Sequence, residues 1–253
     1  LNKVGCKALV SMPRFKTSDY LGMLRELAPE LASAQPGALQ AKRLPQLRSV
    51  VWIDEPGQPD EAGGVLRFSE LIQRGRADDA RLASIAATLK ATDPINIQFT
   101  SGTTGFPKGA TLTHRNILNN GFFIGEAMRL TPADRLCIPV PLYHCLGMVL
   151  GNLACFTHGA TIVYPNDGFD ALSVLQAVQD ERCTGLHGVP TMFIAELDHP
   201  RFAEFDLSSL RTGIMAGSPC PIEVMKRVVS DMHMREVTIA YGMTETSPVS
   251  CQS

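Results

Sequence analysis

The strongest constraint on this fold is an alternation of two periodicities. From residue 95 onward, short β-rich runs at 95–99, 135–140, 160–164, 184–189, 211–216 and 236–241 take turns with stretches whose apolar residues recur at a helical spacing. Asp170 is placed to cap one such helix, with Leu172, Leu175 and Val178 on its buried face. Pro221 suits the first turn of another, followed by Ile222, Met225, Val228, Val229 and Met232. In the helix expected after Thr113, Gly121 and Gly125 share one side with Ile117 and Met128. Two glycines weaken a helix intrinsically, so close packing against a neighbour is expected there. Strands alternating with helices imply an α/β fold: largely parallel sheets flanked by helices, with strand-to-helix loops gathered at one edge. Ligands of open α/β sheets bind at that edge.

The first part of the chain is less regular. A strand at Ala8-Leu9-Val10, a helix around Asp19 to Leu31 and a strand near Val50-Val51-Trp52-Ile53 are expected. A Pro- and Gly-rich surface loop from Asp54 to Gly64 follows, then helices at Phe68–Arg74 and Ala80–Leu89. The division read from the sequence is 1–90, a strand-helix-strand portion with a linker, and 91–253, a ligand-binding α/β portion.

The segment Thr100-Ser101-Gly102-Thr103-Thr104-Gly105-Phe106-Pro107-Lys108-Gly109 lies at the edge where ligands are expected, and is read as a loop between a strand and a helix. Glycines let backbone N–H groups converge on an anion, hydroxyls add donors, and Lys108 adds a full charge. The common nucleoside-triphosphate loop requires Gly-Lys followed by Ser or Thr. Here Pro107 precedes the lysine and Gly109 follows it, so a phosphate loop of another class is indicated, and a kinase-type site is disfavoured.

Composition narrows the remaining classes. Apolar residues at 45% and charged residues at 19% describe a globular protein with ample core. A net charge of −2 gives no electrostatic reason to expect nucleic acid. The seven cysteines form no Cys-x-x-Cys pair and no metal-ligand spacing with histidine. Their odd count and the absence of a signal-like start favour a reducing compartment, cytoplasmic, or the mitochondrial matrix in a eukaryote. The apolar stretch from Cys137 to Phe156 is interrupted by Pro139, Pro141, His144 and Asn152, so a buried strand-turn-helix is expected and no transmembrane segment.

The 100–109 segment resembles the phosphate loop of the adenylate-forming superfamily, which comprises acyl-CoA synthetases, peptide-synthetase adenylation domains and luciferases. Three further segments match in the right order. Pro141-Leu142-Tyr143-His144-Cys145-Leu146-Gly147 resembles the family's Pro-Leu-aromatic-His-x-x-Gly element. Ala216-Gly217-Ser218-Pro219 looks like its adenine-side turn, and Ala240-Tyr241-Gly242-Met243-Thr244-Glu245 like its aromatic-Gly-x-Thr-Glu element. Within the superfamily, Gln98-Phe99, Tyr143-His144-Cys145 and Ser218-Pro219 look most like medium-chain fatty acyl-CoA synthetases.

The resemblance implies an ATP-dependent ligase that activates a fatty acid as acyl-AMP and transfers the acyl group to coenzyme A, with Mg2+ as cofactor. Residues Thr100 to Lys108, with Gly217, Ser218, Pro219, Tyr241, Gly242, Met243 and Thr244, would bind ATP. Lys108, Thr244, Glu245 and His144 would serve the chemistry. Thr244 would bond the α-phosphate, Glu245 would hold magnesium with help from Ser101, and Tyr241 would stack on adenine. His144 would line the acyl and pantetheine channel, without general-base duty. Met148, Val189, Pro190, Phe193 and Met243 would shape an acyl tunnel, a helix core suiting Phe193 nearly as well. His187 and His114 carry no separable signal.

The resemblance also implies a longer protein. On that reading the chain is part of a large N-terminal domain, and the C-terminal domain, with its catalytic lysine, lies outside it. Poor turnover by the 253-residue chain is expected. Two alternatives stay open: adenylation of an aryl or amino acid for a carrier protein, and a non-catalytic nucleotide-binding fragment. Subunit number is not readable, a homodimer being one option.

Overall fold

The computed structural model describes residues 1–53, 63–75, 79–101 and 105–253. The chain forms two compact units, Leu1–Ala87 and Thr88–Ser253.

In the first unit, β1 (Ala8–Ser11), β4 (Ser49–Trp52) and β5 (Val65–Arg67) form a parallel sheet in the order β1-β4-β5. A small hairpin of β2 (Arg14–Phe15) and β3 (Ser18–Asp19) leads into α1 (Tyr20–Leu27). Asp19 caps α1 by accepting from the Gly22 N–H at 3.0 Å. Leu21 and Leu24 of α1 pack with Leu31, Leu39, Val50 and Trp52 into one core. Helices α2 (Phe68–Arg74) and α3 (Asp79–Ala86) fall where the sequence places them. Most of the expected 54–64 loop lies outside the described residues.

The second unit holds a six-stranded sheet. Its strands are β8 (Arg135–Cys137), β9 (Thr161–Val163), β10 (Gly185–Gly188), β11 (Thr212–Ala216), β12 (Glu236–Gly242) and β13 (Val249–Gln252), in the order β13-β12-β11-β10-β8-β9. All neighbours are parallel except β13, which runs antiparallel to β12. Alternate residues feed two cores. On one face Leu136, Ile214 and Ala216 meet Ile117 and Ile124 of α4 (His114–Ala127) and Val149 and Leu150 of the following helix. On the other, Cys137, Leu186 and Met215 meet α6 (Ala171–Asp180), α7 (Pro190–Leu197) and α8 (Ile222–Asp231).

Asp170 caps α6 as expected, accepting from the Ser173 N–H at 2.8 Å, but Val174 rather than Leu172 joins Leu175 and Val178 in the core. In α8, Val228 and the adjoining Met232 are buried, whereas Ile222 and Val229 face solvent. The two glycines of α4 do mark a close approach. A Cβ on Gly121 would stand 2.7 Å from Leu153 Cβ, and one on Gly125 would collide with the His158 ring. The apolar stretch after β8 is a π-wound helix, Leu146–Leu153, that continues into α5 (Ala154–His158), in agreement with a buried strand-turn-helix. Among the described residues, no helix is long and apolar enough to cross a membrane.

One expectation is overturned. The 100–109 segment does not join a strand to a helix, because a second strand intervenes. Strand β6 (Pro94–Thr100) pairs antiparallel with β7 (Lys108–Thr113), and α4 starts only after β7, capped by Thr113 and Asn116. The run 95–99 therefore belongs to a hairpin and not to the parallel sheet. Residues 108–113 alternate, with Ala110 and Leu112 turned inward, but Lys and Gly at the start conceal a strand from propensity reasoning.

Candidate nucleotide and acyl site

A cavity of about 410 Å³ opens at the carboxy-terminal edge of the six-stranded sheet. Four stretches meet there. Thr100 and Ser101 come from the end of β6, and His144, Leu146 and Leu150 from the connection after β8. Ala216 ends β11 and Gly217 follows it, Ala240 and Gly242 end β12 and Met243 to Glu245 follow it, and Pro248 and Val249 complete the lining. The hairpin reaches the β12 turn directly, the Thr100 hydroxyl lying 3.5 Å from Glu245 Oε1. The sequence reading had one sheet edge supply every stretch. Three of them do come from that edge, and the fourth arrives on the separate hairpin.

Each stretch has a local reason for its shape. Ala216 and Ala240 sit opposite one another on β11 and β12, and their small side chains leave space above the strands. Gly217 has a φ of +89°, and a Cβ there would crowd Val189 at 3.1 Å. At Gly242 a Cβ would strike the Pro248 carbonyl, so the β12 turn and β13 can approach only at glycine. His144 caps the π-wound helix: its Nδ1 accepts from the Leu146 N–H at 3.0 Å, which leaves Nε2 to carry the proton of the neutral ring. The π winding is supported from the sheet by His187, fully buried, whose Nε2 donates to the Leu150 carbonyl at 2.9 Å. Burial lowers the His187 pKa to about 4, so the ring is neutral near pH 7.

Beneath the cavity, Cys145 Sγ donates to Gln98 Oε1 at 3.0 Å and ties the hairpin to the helix. Burial pushes the Cys145 thiol up to about 11 despite a hydrogen bond with Thr244. It is therefore a structural link and not a nucleophile. Gln98 and Asn96 also direct their amides to the Met148 sulfur, at 4.0 and 3.8 Å.

The residues singled out in the sequence divide into three groups. Thr100, Ser101, His144, Gly217, Gly242, Met243, Thr244 and Glu245 line the cavity together. Lys108 stands across the ladder from Thr100, and among the described residues its ammonium has no side-chain hydrogen bond or ion pair. Gly105, Phe106 and Pro107 are exposed before it, as are Ser218 and Pro219 beyond Gly217. Tyr241 is 66% exposed and is not part of the cavity wall. Val189 packs on Gly217, Pro190 is buried at the start of α7, and Met148 lies under β6 rather than on the wall. Gly102, Thr103 and Thr104 lie outside the described residues.

Phe193 is a correction. It is fully buried in the core on the opposite face of the sheet, against Gly188, and contributes nothing to an acyl wall. Its spacing from Pro190 suits a lining residue as well as a core residue, and only the face of α7 decides. Leu146, Leu150, Ala216, Ala240, Pro248 and Val249 line the cavity but carry no chemical signature. The pairing of two alanines in register was the one cue available.

The cavity wall carries hydroxyls, one carboxylate among the described residues and aliphatic groups, and the exposed Lys108 pairs with Thr100 on the adjoining hairpin. The whole chain, residues 1–253, matches the model of the AMP-binding enzyme family, and it belongs to that family. It is 48% identical over 254 residues to the putative acyl-CoA synthetase YngI of Bacillus subtilis, the match covering 100% of this chain and 45% of that protein. It is 46% identical over 253 residues to the mitochondrial medium-chain acyl-CoA ligase ACSF2 of Danio rerio, covering 99% of this chain and 41% of that one. The chain thus spans less than half the length of the curated relatives it matches. Its fold is shared with the anthranilate CoA ligase AuaEII, solved with anthranoyl-AMP, at a TM-score of 0.77 and 21% identity over 98% of this chain and 43% of that one.

Proposed function

We propose that this chain is the ATP- and acyl-binding part of an AMP-forming acyl-CoA ligase acting on a fatty acid. The observation that carries the reading is the convergence of Thr100 and Ser101 with Thr244 and Glu245 on one cavity, Lys108 standing across the ladder from Thr100. Identity of 46% to a medium-chain acyl-CoA ligase supports the substrate class.

A fatty acid is already ionised at neutral pH, so its attack on the α-phosphorus of ATP needs no strong base. One carboxylate oxygen forms the new bond to phosphorus as the bond to pyrophosphate breaks. The barrier lies in bringing two anions together, and preorganised donors lower it. Lys108 and the backbone amides of its loop neutralise phosphate charge, Thr244 donates to the α-phosphate, and Tyr241, exposed beside Gly242, stacks on adenine. In the second half-reaction the coenzyme A thiol attacks the acyl carbonyl and AMP leaves. His144 borders that path with its Nε2 proton available as a donor.

Magnesium fits the residues present. Glu245 is the only carboxylate on the cavity wall among the described residues, and Ser101 adds a hydroxyl. Magnesium takes one or two carboxylates plus phosphate oxygens and water, so this sparse set suffices. When bound, the ion would offset charge on the phosphates.

Leu146, Leu150 and Val249 form the apolar wall. Among the described residues, no wall carboxylate other than Glu245 is placed to pair the ammonium of an amino acid. ATP–pyrophosphate exchange by the full-length protein across fatty, aryl and amino acids tests the reading. Exchange driven by fatty acids is expected; exchange driven only by amino acids would overturn it.

A further inference from the structure

The cavity requires the Lys108 strand and the Thr244–Glu245 turn to keep a fixed separation, yet they lie on different sheets. Besides the long contact from Thr100 to Glu245, a side chain on the helix that follows the Lys108 strand joins the elements that carry them. Asn120, half-buried on α4, donates from Nδ2 to the Val249 carbonyl at 2.9 Å and accepts at Oδ1 from the Val249 N–H at 3.1 Å. This is the pair of bonds that a neighbouring strand would make to β13, which forms this edge of the sheet.

The connection runs in both directions from that amide. Toward the lysine, α4 follows β7 without a break, and Thr113 and Asn116 cap the junction reciprocally. Toward the turn, Val249 is bonded to Pro248, whose carbonyl accepts from the Met243 N–H at 2.9 Å and from Thr246 Oγ1 at 2.6 Å. Those two bonds fold Thr244–Thr246 back over β13, and Pro248 and Val249 themselves line the cavity.

We propose that Asn120 is a positioning residue that sets the Thr244–Glu245 turn relative to the Lys108 strand. The role rests on the proposed function, since it matters only if both elements hold the same nucleotide. An amide serving packing alone would not engage both backbone groups of one cavity residue.

The test is Asn120→Leu in the full-length protein, which keeps the branching and number of side-chain heavy atoms and removes both bonds. In fatty-acid-dependent ATP–pyrophosphate exchange, kcat is expected to fall about tenfold to a hundredfold, the effect of small misplacement of reacting groups. The KM for fatty acid is expected to change less than kcat, because Leu146 and Leu150 of the apolar wall make no bond to the amide, whereas Val249 does. In a Glu245→Gln background, Asn120→Leu should cost little more, since residues acting through one another are not additive. A folded Asn120→Leu protein with unchanged kcat, or a full additional loss in the Glu245→Gln background, overturns the proposal. If Asn120→Leu does not fold, Asn120→Ala is judged by the same two outcomes. Lys108→Ala serves as the control. Exchange that survives it defeats the proposed function itself, whereas loss with Lys108→Ala but not with Asn120→Leu defeats the clamp alone.

Discussion

At the amino-terminal edge of the six-stranded sheet, a buried carboxylate is answered by an arginine and by hydroxyls. Asp134, 4% exposed, accepts from Arg211 at 2.8 and 3.1 Å, from the Thr184 hydroxyl at 2.7 Å and from the Thr131 N–H at 2.8 Å. Arg211 spends its remaining donors on Glu236 and on the carbonyls of Met128 and Arg129. Burial raises the Asp134 pKa, but the bonds from Arg211, Thr184 and Thr131 outweigh it, and the carboxyl is held below its ordinary value. At the carboxy-terminal edge of the same strands, Ser101 from the neighbouring hairpin and the Thr244–Glu245 pair border an open cavity. The contrast separates two uses of charge. One edge consumes its polar groups in holding the sheet together, and the other leaves them facing a cavity.

Substitutions at the two edges should therefore fail differently. The largest effect is expected from Lys108→Ala, which should lower fatty-acid adenylation by the full-length protein about 10²–10³-fold, as loss of one preorganised donor does. Its thermal midpoint should barely move, because exposed side chains contribute little to folding. Parallel losses of rate and stability would break the comparison. Asp134→Ala should do the reverse. It strips Arg211 of its buried partner and should cost about 3 kcal/mol of stability, measured by denaturant unfolding. Activity per folded molecule should survive.

The pH dependence of stability sharpens the contrast through two buried groups that do not line the cavity. His187 titrates at about 4 when folded against an ordinary 6.5, because burial disfavours its charge. The unfolded chain thus binds the proton more tightly, and stability falls as pH drops from 6.5 toward 4, by roughly 3 kcal/mol in all. Glu196 has the opposite sign. It is 1% exposed, neither carboxyl oxygen has a partner among the described residues, and burial raises its pKa well above 4.5. The folded state holds that proton, so stability falls as pH rises beyond the ordinary carboxyl range. Glu196→Met should remove the alkaline loss and stabilise the protein by about 1 kcal/mol. A Glu196→Met protein less stable than its parent at pH 8 would contradict this account of the core.

Much of this was legible in residue order, because the signals were local. Asp19, Thr113 and Asp170 announce the starts of α1, α4 and α6, and each is found capping. Gly121 and Gly125 announced a helix contact that only glycine permits. What was hidden depends on distant partners. Strand β7 has weak intrinsic strand character and exists through its pairing with β6. Phe193 could face either side of α7, and the opposing core decides. Asn120 reads as one more polar residue on a helix until Val249, far along the chain, arrives beside it. The strand order arises the same way, β9 lying outside β8 while β10 returns to its inner side.

The central claim is that the hairpin carrying Lys108 and the turn carrying Thr244 and Glu245 grip one nucleotide. The most direct measurement is a crystal structure of the full-length protein with a non-hydrolysable acyl-AMP analogue. The account predicts the analogue's phosphate-equivalent group within ~3 Å of Thr244 Oγ1, at hydrogen-bond distance, with its acyl chain against Leu146 and Leu150. An analogue bound away from this cavity, or one that contacts Thr244 while its acyl chain leaves the Leu146–Leu150 wall, would contradict it.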